Sequence, residues 1–194
     1  MIHIVSENNA YLQTLNGKSR NKELRNNKLA SLHAKIGEVL GQAMLNFRPT
    51  ESGFIKTVQD IDCTIQEVSR ENITIVVLMR AGLYVGQGVR NILDSDDQVY
   101  LISNSVDDVD LDYIRNRDII IVDSVINSGK TIIKYIDSFK DAKSISCISI
   151  VMQSRFTDIA KKYSDILFLT SRVSDNYYVG AGATDTGNRL FGTV

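Results

Sequence analysis

The stretch Ile119-Ile120-Ile121-Val122-Asp123-Ser124-Val125-Ile126-Asn127-Ser128-Gly129-Lys130-Thr131 decides the fold. Its first four residues, β-branched and free of Pro and Gly, read as a buried strand. Asp123 ends that strand, a loop of small polar residues follows, and a helix can begin near Thr131. A polar loop that opens a helix after a parallel strand makes an anion site. The first helical N–H groups are unpaired, the helix dipole is positive there, and Gly129 lets a phosphate approach. Asp123, at the strand end, can accept hydrogen bonds from sugar hydroxyls of the same ligand. A phosphate cradle beside a hydroxyl acceptor suggests a sugar phosphate.

Two other readings of this stretch stand beside that one. A Walker A loop requires G-x-x-x-x-G-K-[ST]; Ser124 holds the first Gly position, so only Gly129-Lys130-Thr131 matches, and Asp123 would lie close to a triphosphate. An ordinary strand–turn–helix without a ligand is the other.

Outward from the stretch, strand and helix alternate. Strands are expected at 73–79, 99–103, 118–122, 144–152 and 166–169, and helices at 83–93, 129–139 and 156–163. Before them, Leu29, Leu32, Ile36, Val39, Leu40, Ala43 and Phe47 recur at spacings of three and four. They predict an amphipathic helix within 24–47, stopped by Pro49, the chain's single proline. Short strands fit 2–5, 54–58 and 63–68. The expected fold is α/β: one domain over residues 1–194, a mainly parallel twisted sheet with helices on both faces. Ligands of such sheets lie at the carboxyl ends of the strands, where Arg80 and Asp123 fall.

Bulk properties narrow the function classes. The chain has 194 residues, 43% of them apolar and 23% charged, which suits a soluble globular domain. A net charge of −1 gives no basic field for nucleic acid. No apolar run approaches membrane length and no secretory leader is legible, so a cytoplasmic location is expected, with Cys63 and Cys147 as reduced thiols. His3 and His33 are too few and too separated for a metal cluster and are expected at the surface or on a helix face; no metal ligands are assigned.

The quoted stretch resembles the phosphoribosyl-diphosphate loop of type I phosphoribosyltransferases, and two further segments resemble uracil phosphoribosyltransferases. Ile73-Thr74-Ile75-Val76-Val77-Leu78-Met79-Arg80-Ala81-Gly82-Leu83 is similar to their pyrophosphate-loop strand. Thr184-Asp185-Thr186-Gly187-Asn188-Arg189-Leu190-Phe191-Gly192-Thr193 is similar to their C-terminal Gly-Asp-Ala-Gly-Asp-x-x-Phe-Gly-Thr segment. The three occur in the family's order. The resemblance implies a type I phosphoribosyltransferase fold and a pentosyltransferase of pyrimidine salvage. Phosphoribosyl would pass from 5-phospho-α-D-ribose 1-diphosphate to uracil, giving UMP and pyrophosphate. Arg80, Asp123 and Asp185 would be the catalytic residues. The phosphoribosyl diphosphate would be held by Arg80, Ala81, Gly82, Asp123, Ser124, Val125, Ile126, Asn127, Ser128, Gly129, Lys130, Thr131 and Asp185, and the base by Val179, Thr184, Asp185 and Thr186. Mg²⁺ would enter mainly through the diphosphate. The implied partners are small-molecule substrates, with neither nucleic acid nor membrane, and a homodimer or higher homo-oligomer.

Three departures from the family pattern carry expectations. Ala181-Gly182-Ala183-Thr184-Asp185 replaces Pro-Gly-Leu-Gly-Asp, so a position that is Gly in the family carries a β-branched residue, which resists φ > 0 and adds bulk where the base edge would rest. Asn104-Ser105 stands where the family has Tyr-Arg, and the following loop is short, 106–116. That loop belongs to an acidic tract of Asp94, Asp96, Asp97, Asp107, Asp108, Asp110 and Asp112, read as a solvated surface rather than a Mg²⁺ recruiter. Two alternatives follow: transfer to another base, or a non-catalytic paralogue that binds phosphoribosyl diphosphate or a nucleotide.

Overall fold

Residues 1–176 and 180–193 are described in the structure, a computed structural model. Six strands form a sheet in the order β1 (Ile2–Ile4), β8 (Leu167–Ser174), β7 (Ser144–Gln153), β6 (Asp118–Ile126), β4 (Ile73–Leu78), β5 (Val99–Ser103), and every neighbouring pair is parallel. Parallel neighbours require crossovers, and these supply the helices. They are α1 (Ala10–Ser19), α2 (Asn26–Leu45), α3 (Leu83–Ile92), α4 (Lys130–Ser138), α5 (Ser154–Ala160) and α6 (Thr186–Phe191).

Side chains alternate across a strand, so each β-branched run feeds two cores. Ile73, Ile75 and Val77 of β4, with Ile120 and Val122 of β6, face one side and meet Leu32, Ile36 and Leu40 of α2 and Val85 and Val89 of α3. Val76, Leu78, Ile119 and Ile121 face the other side and meet Ile132, Tyr135 and Ile136 of α4 and Phe156 of α5. Burial on both sheet faces is what made these strands continuous apolar runs in sequence. Each fully buried Leu or Ile in these layers contributes roughly 1.5–3 kcal/mol.

An antiparallel hairpin, β2 (Thr50–Lys56) with β3 (Asp62–Val68), stands apart from the sheet and exposes Phe54 and Val58. Its base is fixed by Arg48, which donates to the carbonyls of Ser69 (3.1 Å) and Glu71 (2.9 Å) and pairs with buried Asp118 at 2.7 Å. Among the described residues no helix is long and apolar enough to cross a membrane.

The alternation and the sheet follow the sequence, with four differences. Strand β6 runs on to Ile126, so Asp123 lies inside the strand and not at its end. Likewise β8 continues to Ser174. The helices α1 and α6 were not legible. His33 lies on a helix face, one of its two expected places, but that face of α2 is the buried one and the residue is only 4% exposed.

Candidate active site

The last residues of β6 form the hub of three adjoining recesses at the carboxyl end of the sheet. Val125 lines all three. That common wall is what one strand end between two helical layers can offer, and it is the usual ligand position in a parallel sheet.

The smallest recess, about 80 Å³, is lined by residues 125–132 with Asp123. Asn127, Ser128 and Gly129 are a bend between β6 and α4, and the first carbonyl-bonded amide of the helix is Ile133, which donates to Gly129 O at 2.9 Å. The amides of Lys130, Thr131 and Ile132 therefore precede the helical ladder and lie where a phosphate oxygen can accept them. Gly129 has φ of +77° and its missing Cβ would stand 2.0 Å from the Phe156 ring, so both backbone and packing demand glycine. Lys130 is exposed. From the start of α5, Arg155 donates to the Asn127 side-chain oxygen and brings a guanidinium to the rim of the cradle.

The central cleft, about 430 Å³, joins this cradle through Asp123 and Asn127 and is also lined by Met79, Arg80, Ala81, Asp185, Thr186 and Gly187. Asp123 is half-buried, and desolvation pushes its carboxyl up to about 6 in spite of hydrogen bonds from the backbone of Val125 and Ser124. Arg80 follows β4 across a cis Met79–Arg80 peptide. Its guanidinium donates to Asn188 Oδ1 at 2.7 Å and Thr193 Oγ1 at 3.2 Å and lies 3.8 Å from Asp185 Oδ1. Asp185 caps α6 through Asn188 N–H at 2.8 Å. The C-terminal segment is thereby anchored over the loop of residues 79–82. Gly82 is the turn that permits this loop: a Cβ there would stand 2.6 Å from Leu78 O and 2.7 Å from Val122 O.

The third recess, about 250 Å³, opens beyond Val125 and Thr186 and is walled by His33, Ser124, Gln153, Arg20, Arg172 and Arg189 among others. The Ser124 hydroxyl donates to Ala81 O at 2.6 Å and so accepts from His33 Nδ1 at 3.2 Å. That arrangement fixes the imidazole tautomer, and burial, with the Arg189 charge second, lowers the His33 pKa to about 3. The ring is neutral at ordinary pH. The chain Ala81–Ser124–His33 ties the arginine loop to β6 and to α2.

The structure thus brings Arg80, Ala81, Asp123, Val125, Asn127, Asp185 and Thr186 to one cleft and residues 127–131 to the cradle beside it. Ser124 and Ile126 are buried, and the Ser124 hydroxyl is engaged with Ala81. Thr184 is exposed, its hydroxyl donates to Ala181 O at 2.8 Å, and it is absent from the walls of the recesses. Nor is it strained: the left-handed residue of that turn is Gly182, φ +53°, so the expected conflict of Thr184 with φ > 0 does not arise. Val179 lies outside the described residues.

In the shortened loop, the aspartates serve the chain itself. Asp108 accepts from the amides of Asn104 (3.2 Å) and Ser105 (2.9 Å), and Asp110 caps the turn Leu111–Tyr113. Sequence reasoning missed Arg20, Gln153, Arg155, Arg172 and Asn188. The first four carry no local motif and meet the site only through topology. Asn188 stood inside a quoted segment, where its position three residues after a carboxylate was a readable cap signal.

Comparison with known proteins follows the same outline. The family model described as "Uracil phosphoribosyltransferase" matches residues 5–193. A uracil phosphoribosyltransferase of Clostridioides difficile (strain 630) is 25% identical over 210 aligned positions, covering 100% of both chains. Among solved structures, the AQ2163 protein of Aquifex aeolicus superposes with a TM-score of 0.79 at 16% identity, covering 98% of each chain. The orotate phosphoribosyltransferase of Mycobacterium tuberculosis H37Rv, solved with 5-phospho-alpha-D-ribosyl 1-diphosphate, gives a TM-score of 0.53 at 10% identity, covering 88% of this chain and 95% of that one. At these identities the two structures establish a shared fold.

Proposed function

The chain belongs to the uracil phosphoribosyltransferase family and is a pentosyltransferase, and on that premise we propose that it transfers phosphoribosyl from 5-phospho-α-D-ribose 1-diphosphate to uracil, giving UMP and pyrophosphate. The observation that carries this reading is the continuity of the three recesses around Val125: a phosphate-sized cradle, a cleft holding Asp123 and Arg80, and a chamber of single-ring size beyond. A donor lying along β6 has its 5′-phosphate on the amides after Gly129 and its ribose hydroxyls at Asp123. Its diphosphate lies at Arg80, and C1 faces the third recess.

In the reaction the C1–O bond to the diphosphate breaks, its electron pair leaving with pyrophosphate. A ring nitrogen forms the new bond to C1 and its proton is released. Catalysis comes from holding donor and acceptor in line and from stabilising the leaving charge. Arg80 exchanges its present partners, Asn188, Thr193 and Asp185, for diphosphate oxygens, which bind a guanidinium in forked geometry. Asp123 must be ionised to bind the hydroxyls most strongly, so donor binding strengthens as pH rises through about 6.

Mg²⁺ belongs to the same proposal. Among the described lining residues Asp123 and Asp185 are the carboxylates of the cleft, too few for an all-protein cage, which suits an ion held mainly by diphosphate and water and serving to neutralise the leaving group. A homo-oligomer in the cytoplasm is proposed as well, and the exposed apolar Phe54 and Val58 of the β2–β3 hairpin offer a surface for a second copy.

Chromatographic assay of UMP from uracil, phosphoribosyl diphosphate and Mg²⁺ tests the reading. Equimolar UMP and pyrophosphate is the expected result. Binding of the donor without consumption by any base would favour a non-catalytic paralogue. A different acceptor is the second reading, and the arginines of the third recess favour it.

A further inference from the structure

The central cleft and the third recess differ in charge. Among its described lining residues the cleft holds two carboxylates, Asp123 and Asp185, and one cation, Arg80. The recess has Arg20 and Arg172 in its wall and no Asp or Glu among its described lining residues. Arg20 is the exposed C-cap of α1 and Arg172 lies in β8, so the fold brings the two guanidinium groups together from distant parts of the chain.

Neither makes an ion pair among the described residues. The Arg172 Nε is fully buried without a hydrogen-bond partner there. Burial, and then the charge of Arg20, lower the Arg172 pKa from its ordinary value. His33, neutral and bonded to Ser124, adds no charge of either sign. Gln153, on the same wall, is 3% exposed, and its amide has no partner among the described residues.

We propose that the acceptor held in this recess is a uracil ring bearing an anionic group, a carboxylate in the simplest case, which binds between Arg20 and Arg172. The proposal rests on the phosphoribosyl-transfer reading, in its second form of an acceptor other than uracil, and names the substrate class, with uracil as the poorer substrate. A carboxylate accepts forked hydrogen bonds from guanidinium and neutralises two like charges that otherwise face each other. The Gln153 amide, both donor and acceptor, matches the N–H and C=O edge of the ring. Uracil itself leaves both arginines unanswered. A site built to bond a polar group rejects the analogue that lacks it, here by a factor on the order of 10² or more.

The test measures kcat/KM with phosphoribosyl diphosphate and Mg²⁺ for uracil, 5-carboxyuracil, 6-carboxyuracil and the neutral 5-carboxamidouracil. Calorimetry with UMP and the carboxylated nucleotides runs beside it and needs no turnover. One carboxylated base should exceed uracil and the carboxamide by about 10²-fold, and its nucleotide should bind tighter than UMP. Arg172→Gln, and separately Arg20→Gln at the exposed position, should each lower that ratio at least tenfold in both measurements, with Arg172→Lys restoring part of it. Preference for uracil, or a ratio that neither variant moves, overturns the proposal while leaving phosphoribosyl transfer intact. Uracil made equally good by free acetate would mark a separate anion site and also overturn it. Failure of every base to react, with no nucleotide bound, is instead the failure of the transfer reading.

Discussion

Asp123→Asn removes a charge from the half-buried carboxyl at the hub of the three recesses, and its effects on stability and on binding run in opposite directions. The carboxyl ionises at about 6 where an ordinary aspartate has 3.8, and desolvation is the main cause. That displacement sets a ceiling of about 3 kcal/mol for the penalty of holding the charge in the fold, or about 2 kcal/mol after allowing for its partial solvent contact. The folded-state value is raised, so the carboxyl favours the native chain fully below pH 3.8, and this contribution is lost as pH rises through about 6. Asparagine keeps the size and the acceptor oxygen and carries no such penalty. At pH 7.5 without ligand the variant should therefore be the more stable protein by about 2 kcal/mol, a rise in Tm of roughly 4–8 °C. Near pH 4 the gain should vanish. Donor affinity should move the other way, because hydrogen bonds to a charged acceptor are worth about 1.5–3 kcal/mol, a loss on the order of 10- to 100-fold. Urea unfolding at the two pH values and calorimetry with phosphoribosyl diphosphate read both effects. A variant less stable at pH 7.5, or one with undiminished donor affinity, would refute the reasoning.

Gly129→Ala forces a Cβ to within 2.0 Å of the Phe156 ring at a φ of +77°. It should cost about 2–4 kcal/mol in urea unfolding and weaken ribose 5-phosphate binding in calorimetry. Ser124→Ala leaves Ala81 O and His33 Nδ1 without their shared hydroxyl. A loss of about 1–3 kcal/mol is expected, with a weaker kcat from misplacement of the loop that carries Arg80. Thr184→Gly should leave the ranking of bases in a kcat/KM panel within about twofold, since Thr184 has no strained backbone and lines none of the three recesses; a large gain with uracil would show that its methyl does reach the base.

The parts of the fold legible in the sequence are those where one period dominates. Two-sided burial made β4 and β6 continuous apolar runs, and the three- and four-residue spacing from Leu29 to Phe47 marked α2. Helix α1 was hidden because its buried face is Leu12, Leu15, Asn16 and Ser19, half of it polar. The end of β8 was hidden for a similar reason, since Thr170 and Ser171 are fully buried polar residues. The phosphate cradle was readable because strand, loop and helix N-terminus are contiguous. The recess of Arg20 and Arg172 was not, because nothing local to either residue announces the other. His33 illustrates the same limit: its burial depends on Ser124, ninety-one positions away in the chain.

Movement of phosphoribosyl from its diphosphate to a base can be read in ³¹P NMR of phosphoribosyl diphosphate with the protein, Mg²⁺ and the panel of bases. The diphosphate signals should be replaced by free pyrophosphate, with one nucleotide formed per pyrophosphate, and only when an acceptor base is present. Donor signals that stay unchanged with every base, or that decay at the same rate without one, would contradict it.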